Sequence, residues 1–227
     1  VEFADEHSPT TTAIFGDAGP YRLRLTADDG VRTACAETIV HVEGPDASDA
    51  LLVVGQEKLG RGDAAIRDAL QEFGLLVKVV SDRDSRSSDA DGKSLIFISS
   101  TVSSQRVGAK FRDAAVPVVV CESWLLDDMG MTGGKQDQDY GKSADTYRRL
   151  DLPATFAGLN GTVEVTAASS MHWGAPASTA TVIATLPTGD GRSATRAAIF
   201  AYQRGATMAV GKAPARRVAL SLDDHTA

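Results

Sequence analysis

Residues 51–80 read LLVVGQEKLGRGDAAIRDALQEFGLLVKVV, and this stretch decides the fold. Apolar runs at 51–55 and 75–80 flank a segment, 63–74, in which apolar residues recur at helical spacing. Strands that are almost wholly Val, Ile and Leu are buried on both faces, and a helical crossover between two such strands makes them parallel. The stretch therefore predicts a strand–helix–strand unit of a parallel sheet. In its helix we expect Asp63 to cap the first turn, and Ile66, Leu70 and Phe73 to face the core.

Further apolar runs extend this unit towards the carboxyl terminus. Strands are predicted at 95–98 and 116–121, with a short helix at 105–112 and a helical turn at 122–130. The polar segment 132–153 predicts an ordered excursion or lid. Glycine and proline then separate five short β runs, which predict hairpins that extend the sheet on one side: 161–166, 181–187, 197–203, 208–212 and 216–222. The fold class expected is α/β, a flavodoxin-like parallel sheet with helices and a β-rich C-terminal extension.

The first 43 residues have a different pattern. Tyr21, Leu23 and Leu25 alternate with Arg22 and Arg24, which is typical of a half-buried antiparallel strand. A second strand is predicted at 31–42, after a turn rich in Asp and Gly. Residues 43–50 are polar, contain Gly and Pro, and break both periodicities. We therefore expect a β segment at 1–43, a linker at 44–50 and an α/β domain at 51–227.

Composition restricts the partners. The net charge is −7, and Lys and Arg are scattered rather than clustered, which argues against nucleic-acid binding. No run approaches the 18 apolar residues of a membrane span. The chain begins without a charged, apolar leader, so we expect a mature product or an internal piece of a longer protein. Cys35 and Cys121 fall in different predicted domains and leave the redox compartment open.

The N-terminal segment resembles a known module. Residues 3–30, FADEHSPTTTAIFGDAGPYRLRLTADDG, are similar to the second half of a PKD-like, immunoglobulin-like β-sandwich. Such modules occur in tandem in large extracellular bacterial and archaeal proteins. Because about three strands cannot close a sandwich of about seven, the resemblance implies that another segment of the parent protein or a partner chain completes it.

The remainder resembles the class I glutamine amidotransferase-like superfamily, in particular its ThuA-like branch in secreted bacterial proteins. The resemblance is carried by the runs LLVVG, GDAAIRDALQEFG, LIFISSTVSS, VPVVVCESWLLDDMGMTG and RRVALSLDDHTA. It covers the chain from about residue 51 onwards and implies an extracellular or cell-surface location. Members of this branch are largely uncharacterised, so the resemblance implies little about activity.

Cys121, Glu122 and His172 are the candidate catalytic residues. An amidotransferase nucleophile stands on a tight turn flanked by glycines, whereas Cys121 has Val120 and Glu122 beside it, which favours a small buried hydrophobe. Glu122 follows a predicted strand, where α/β sheets bind ligands, and could act as a general base or simply cap the next turn. His172 is the internal histidine downstream of Cys121 that could partner it.

Candidate ligand-binding residues share the same predicted edge of the sheet; they are Ser99, Ser100, Thr101, Glu122 and Trp124. The run SSTVSS could form an anion-binding nest, and it could equally cap a helix without any ligand. Trp124 or Trp173 could stack on a carbohydrate. Asp223, Asp224 and His225 are adjacent and cannot all reach one ion, so no metal is expected. The sequence contains neither a G-x-G-x-x-G motif nor a P-loop, and no cofactor is expected.

We therefore expect a non-catalytic interaction or structural region of a large secreted or cell-surface bacterial protein. Two alternatives stay open. One is a carbohydrate-active hydrolase or isomerase with Glu122 as base, in a pocket at the carboxyl ends of the strands. The other is a glycan-binding module that uses Trp124 or Trp173.

Overall fold

The computed structural model describes residues 1–15, 19–42, 49–156, 158–187 and 196–220. Within these ranges the strands are β1 (Glu2–Phe3), β2 (Ala13–Ile14), β3 (Gly19–Asp28), β4 (Thr33–Val42), β5 (Asp49–Val54), β6 (Leu76–Ser81), β7 (Leu95–Ile98), β8 (Val118–Val120), β9 (Tyr140–Phe156), β10 (Leu159–Gly174), β11 (Thr181–Thr185), β12 (Ala197–Tyr202) and β13 (Arg217–Leu220). The helices are α1 (Arg61–Glu72) and α2 (Ser104–Val107), with 3-10 turns at Ser87–Ala90, Gly108–Phe111 and Ser123–Leu125.

One large mixed sheet organises the described part of the chain. Its strand order is β10-β9-β11-β12-β13-β8-β7-β5-β6. Strands β6, β5, β7, β8 and β13 pair in parallel, in that order. From the β13–β12 pair onwards the strands pair antiparallel. The sheet is α/β-like, as the sequence predicts, but it carries few helices.

Burial on both faces explains why the central strands are continuous apolar runs. Leu51 and Val53 of β5 pack on one face, in the main core, whereas Leu52 and Val54 pack on the opposite face. All four side chains are completely buried. A strand that is covered on both sides has no position at which a polar side chain could reach water, so the alternation typical of half-buried strands disappears.

Helix α1 covers the face of Leu52 and Val54, and two expectations for it are wrong. Leu70 is buried as predicted, but Phe73 is 59% exposed because the helix ends at Glu72 and Phe73 is its C-cap. The N-cap is Gly60, without a side-chain cap, so Asp63 does not cap the helix. Asp63 lies instead one turn into the helix, where its carboxylate bonds to another element.

The carboxyl-terminal strands extend the sheet beyond β13, as expected. The expected excursion at 132–153 is wrong from Tyr140 onwards, because β9 begins there and pairs with β10. The expected strand at 208–212 is also wrong, since that segment holds only an isolated bridge between Thr207 and Lys212. Both errors have one cause: pairing with a neighbouring strand, rather than local apolar content, decides which segments become strands.

The N-terminal segment forms two separate two-stranded antiparallel sheets in the described residues, β1–β2 and β3–β4. Tyr21 lies opposite Val40 and Leu23 opposite Thr38, so the predicted faces of the hairpin are correct. Strand β5 begins at Asp49, inside the predicted linker. In the described ranges no helix has the length and apolar character needed to cross a bilayer.

Candidate functional site

Strand β5 lies at the point where the order of the parallel strands reverses, because the strands that follow it in sequence lie on its two sides. The chain leaves β5 through α1 to β6 on one side and then crosses to β7 on the other side. Connections that diverge in this way leave a crevice beyond the carboxyl ends of the two strands, and open α/β sheets bind ligands there. The topology therefore identifies the loops after Val54 and Ile98 as the place to look for a site.

A cavity of about 490 Å³ opens at this point. It is lined mainly by polar residues from the loops after β5, β6 and β7 and from the first turns of α1 and α2: Gly55, Gln56, Lys58, Gly60, Asp63, Asp82, Thr101, Val102, Ser103 and Arg106. A volume of this size lies in the range that proteins use for small molecules.

The carboxylate of Asp63 ties α1 to the end of β7. The Thr101 hydroxyl donates to Asp63 Oδ2 at 2.9 Å, and the Ser99 hydroxyl donates to Asp63 Oδ1. Asp63 is 3% exposed and Ser99 is 1% exposed, so these bonds lie away from bulk water. Asp63 thus fixes the distance between the two elements that form the cavity walls.

Gly55 allows the β5 loop to approach Thr101 closely. Its backbone N–H donates to Thr101 Oγ1 at 3.1 Å. A Cβ atom at this position would collide with the carbonyl oxygen of Thr101. The loop can therefore run this close to the end of β7 only with glycine at position 55.

Asp82 organises the opposite wall. Its carboxylate, 1% exposed, accepts the backbone N–H of Ser103 at 2.7 Å and forms an ion pair with Arg106 at 3.3 Å. The ammonium group of Lys110 donates to the Asp82 carbonyl oxygen at 3.2 Å. The start of α2 is thereby held by a buried acid that directly follows β6.

Cys121 lies at the end of β8 and is only 3% exposed. It packs in the apolar cluster of Leu52, Val54 and Leu70, and it is absent from the cavity lining. Burial raises the pKa of its thiol far above the ordinary value, and the negative charges of Asp63 and Glu122 raise it further. The thiolate, which is the nucleophilic form, is therefore strongly disfavoured here.

Glu122, Trp124 and His172 come together on the other side of β8. The backbone N–H of Trp124 donates to Glu122 Oε1 at 3.1 Å, so Glu122 caps the 3-10 turn. The Trp124 ring meets the His172 ring edge to face, with centroids 5.3 Å apart. Glu122 and His172 are each 7% exposed. The structure thus joins three of the candidates predicted from the sequence, although β10 supplies His172 from far along the chain.

The other candidate residues predicted from the sequence do not lie together in one site. Thr101 lines the cavity, Ser99 is buried behind it, and Ser100 is half-buried in the same turn. Trp173 is 3% exposed, with the Arg196 guanidinium 4.7 Å above its ring centroid. Residues 223–225 lie outside the described residues. Among those described, no group of three or more His, Cys, Asp and Glu side chains is arranged to hold a metal ion.

Sequence reasoning missed most of the residues that form the cavity. Lys58 and Arg106 carry no motif, and Asp63 resembles an ordinary helix cap. A usable signal existed for Gly55 and Asp82, because each directly follows a strand end in a parallel sheet. That position alone makes such residues candidates.

Comparison with known proteins supports the fold. No protein-family model and no curated protein matches the sequence. The structure is similar to that of a Thermoplasma acidophilum protein provisionally assigned as a GMP synthase component, with a TM-score of 0.50 and 15% sequence identity. The match covers 78% of this chain and 84% of that chain. At this identity the likeness extends to the fold alone, which partly resembles that of the amidotransferases.

Proposed function

We propose that this chain is a non-catalytic region of amidotransferase-like fold that binds a small polar ligand in the cavity beyond β5 and β7. The observation that carries the proposal is the cavity itself, which has polar walls and lies at the reversal point of the sheet. Cavities at that point are the usual ligand sites of open α/β sheets.

The state of Cys121 supports a role without covalent catalysis. A nucleophilic cysteine needs an accessible thiolate, which a positive neighbour or a helix N-terminus normally stabilises. Cys121 has apolar neighbours and two nearby negative charges, and these raise its pKa. The protein therefore contacts its ligand through the cavity walls rather than through this thiol.

A cavity-filling substitution tests the proposal. Gln56→Trp places an indole in the cavity, whereas Glu57→Trp adds the same ring to the adjacent exposed residue, which does not line it. The probes are glucose, glycine and inorganic phosphate, each titrated by calorimetry. We expect at least one probe to bind the native chain and the Glu57→Trp variant, and to lose affinity for Gln56→Trp. Equal affinity of the two variants for every probe, or no binding of any probe to the native chain, overturns the proposal.

A hydrolase or isomerase of carbohydrate-related substrates is the second candidate, with Glu122 as general base. The observation that favours it is the cluster of Glu122, Trp124 and His172, in which Glu122 accepts the backbone N–H of Trp124 and the His172 ring meets the Trp124 ring. In this case Glu122→Gln abolishes turnover of a glycoside substrate and leaves the fold intact, whereas Glu72→Gln, the same change at the exposed end of α1, leaves turnover unchanged. Native-level turnover by Glu122→Gln contradicts this candidate.

A glycan-binding module has less support. A stacking platform needs an open aromatic face. Trp173 is 3% exposed beneath Arg196, and Trp124 is half-buried against His172. Each ring therefore already packs against another side chain of the same protein.

We also propose that the parent is a large secreted or cell-surface bacterial protein, and that the β3–β4 hairpin belongs to a PKD-like sandwich completed by another segment or chain. The apolar side chain of Leu25 supports this, because it lies on the face of Tyr21 and Leu23 and is 66% exposed. Hydrogen exchange tests it: outward-facing amides of β3 and β4 exchange rapidly in the isolated chain if their edges are open. Slow exchange along both outer edges contradicts an open sandwich.

A further inference from the structure

Asn160 is the one asparagine of the sequence, and Gly161 follows it. The pair lies at the apex of the β9–β10 hairpin, just after the turn glycine Gly158. Asn160 is exposed, as are its neighbours Leu159 and Gly161. Asparagine is among the thermolabile residues of proteins, and a glycine after it leaves the next backbone nitrogen without a side chain to shield it. The apex therefore presents a reactive pair of residues to water.

The ladder between β9 and β10 is interrupted at Asn160. Its register passes from the pair Leu159–Phe156 directly to the pair Gly161–Leu152, so Asn160 faces a bulge of β9. A bulge leaves residues unpaired, disrupts the ladder locally and bends the strand. Asn160 thus lacks the opposite residue that restrains an ordinary strand position, and strand ends of this kind open at little cost.

The Asp29–Gly30 pair in the β3–β4 turn is exposed as well, but its reactive groups are already bonded. The Gly30 N–H donates to Asp28 Oδ1 at 2.7 Å. Asp29 Oδ1 accepts the N–H groups of Val31 and Arg32 at 2.9 and 2.7 Å. These bonds, that of the Arg32 N–H above all, hold the pKa of Asp29 below its ordinary value and keep it a carboxylate, which is a poor acyl donor. This turn therefore does not compete with the β9–β10 apex.

We infer that Asn160 is a site of spontaneous deamidation, which converts the hairpin apex into an isoaspartyl linkage. The Gly161 backbone nitrogen attacks Cγ of Asn160 and closes a cyclic succinimide, and the side-chain nitrogen leaves as ammonia with the proton of the Gly161 N–H. Water then opens the ring, and the product is isoaspartate or aspartate according to which C–N bond is broken. Water is the co-reactant, and the modification is independent of the cavity beyond β5 and β7.

The conversion changes the apex in two ways. It adds a negative charge close to Asp151, whose carboxylate accepts the Thr162 hydroxyl at 2.8 Å. An isoaspartyl residue also routes the backbone through its side-chain carbon, which lengthens β10 directly before Gly161 pairs with Leu152. Both changes weaken the pairing of β9 with β10 at the apex.

Incubation in mildly alkaline buffer, with and without urea, tests the inference. Released ammonia measures ring closure, and methylation by an isoaspartate-specific methyltransferase with labelled S-adenosylmethionine measures the product. The native chain should give both signals at a rate within about tenfold of that in urea, because an unpaired apex opens at little cost. Asn160→Gln should lose both signals. Glu164→Gln, a change at another exposed position of β10, should react like the native chain.

Two results would overturn the inference. Reaction in urea alone would mean that the folded hairpin protects Asn160. Equal methylation of Asn160→Gln and the native chain would mean that the isoaspartate forms at an Asp-Gly pair instead. Asn160→Gln exchanges one exposed amide for another, and circular dichroism of the variant checks that its fold is unchanged.

Discussion

Thr101 and Asp63, which are 38 residues apart in sequence, are joined by a hydrogen bond of 2.9 Å between a hydroxyl and a buried carboxylate. This bond connects the end of a parallel strand to the first turn of the helix that covers the neighbouring strand. The acid is therefore a structural part of the crevice wall and is not available as a free base.

Asp63→Ala should destabilise the protein by about 2–4 kcal/mol, because it leaves the Ser99 and Thr101 hydroxyls without their acceptor. Urea unfolding measures the change. Asp68→Ala, on the same helix, removes only an exposed pair with Arg67 and should cost less than about 1 kcal/mol. Equal losses of unfolding free energy in the two variants would show that the Asp63 hydrogen bonds contribute no more to stability than the exposed pair of Asp68 and Arg67.

The two cysteines should react very differently with iodoacetamide. Cys35 is exposed and Cys121 is buried, and burial also raises the pKa of the Cys121 thiol. In the native protein we expect alkylation of Cys35 alone, with Cys121 modified only after unfolding. Mass spectrometry of the Cys35→Ser and Cys121→Ser variants separates the two sites. Rapid native labelling of Cys121 would refute the view that its thiol is inert.

Arg217→Met should cost about 3–5 kcal/mol, although the two side chains have similar volume. The Arg217 guanidinium is fully buried and donates to four backbone carbonyl oxygens, those of Arg112, Ala114, Val116 and Arg216. Burial lowers its pKa to about 10, so it is still protonated at neutral pH.

The neighbouring Arg216 provides the control for this experiment. Arg216 is exposed, and Arg216→Met should change the free energy of unfolding by less than about 0.5 kcal/mol, as is usual for surface positions. Chemical denaturation of both variants gives the comparison. A small loss at position 217 would mean that water can replace the guanidinium at those carbonyl oxygens.

Asp128 should titrate above its ordinary pKa of 3.8, because burial disfavours its charged form and the nearby Asp127 repels it. Since the folded-state pKa is raised, the charged carboxylate opposes folding, and stability falls as pH rises from 3.8 through the folded value. Asp128→Asn should therefore stabilise the protein at neutral pH, and the gain should vanish below pH 3.8.

Carboxyl-carbon NMR, recorded as a function of pH, gives the midpoint of the Asp128 titration directly. Asp127→Asn should lower the Asp128 midpoint, because it removes the repelling charge, and Arg112→Gln should raise it, because Arg112 favours the carboxylate. Shifts in the opposite directions would refute this account of the local charges.

The sequence predicted the sheet better than it predicted the site. The parallel strands were predictable because each carries an apolar run that few other structures tolerate. Strand β9 was not, since its polar residues become a strand only by pairing with β10. Glu122 and His172 were both candidates, yet their approach through Trp124 depends on how β10 packs beside the 3-10 turn.

The sequence by itself determined the parallel core, because a strand buried on both faces must be apolar at every position, and that pattern can be read locally. It also determined the faces of the β3–β4 hairpin, whose side chains alternate with a period of two. Only the tertiary structure decided the cavity. Gly55, Asp63, Asp82 and Thr101 come from separate segments, and although Thr101 was already a candidate, nothing in any one segment shows that the four residues meet. Their meeting follows from the order of the strands, which no local pattern records.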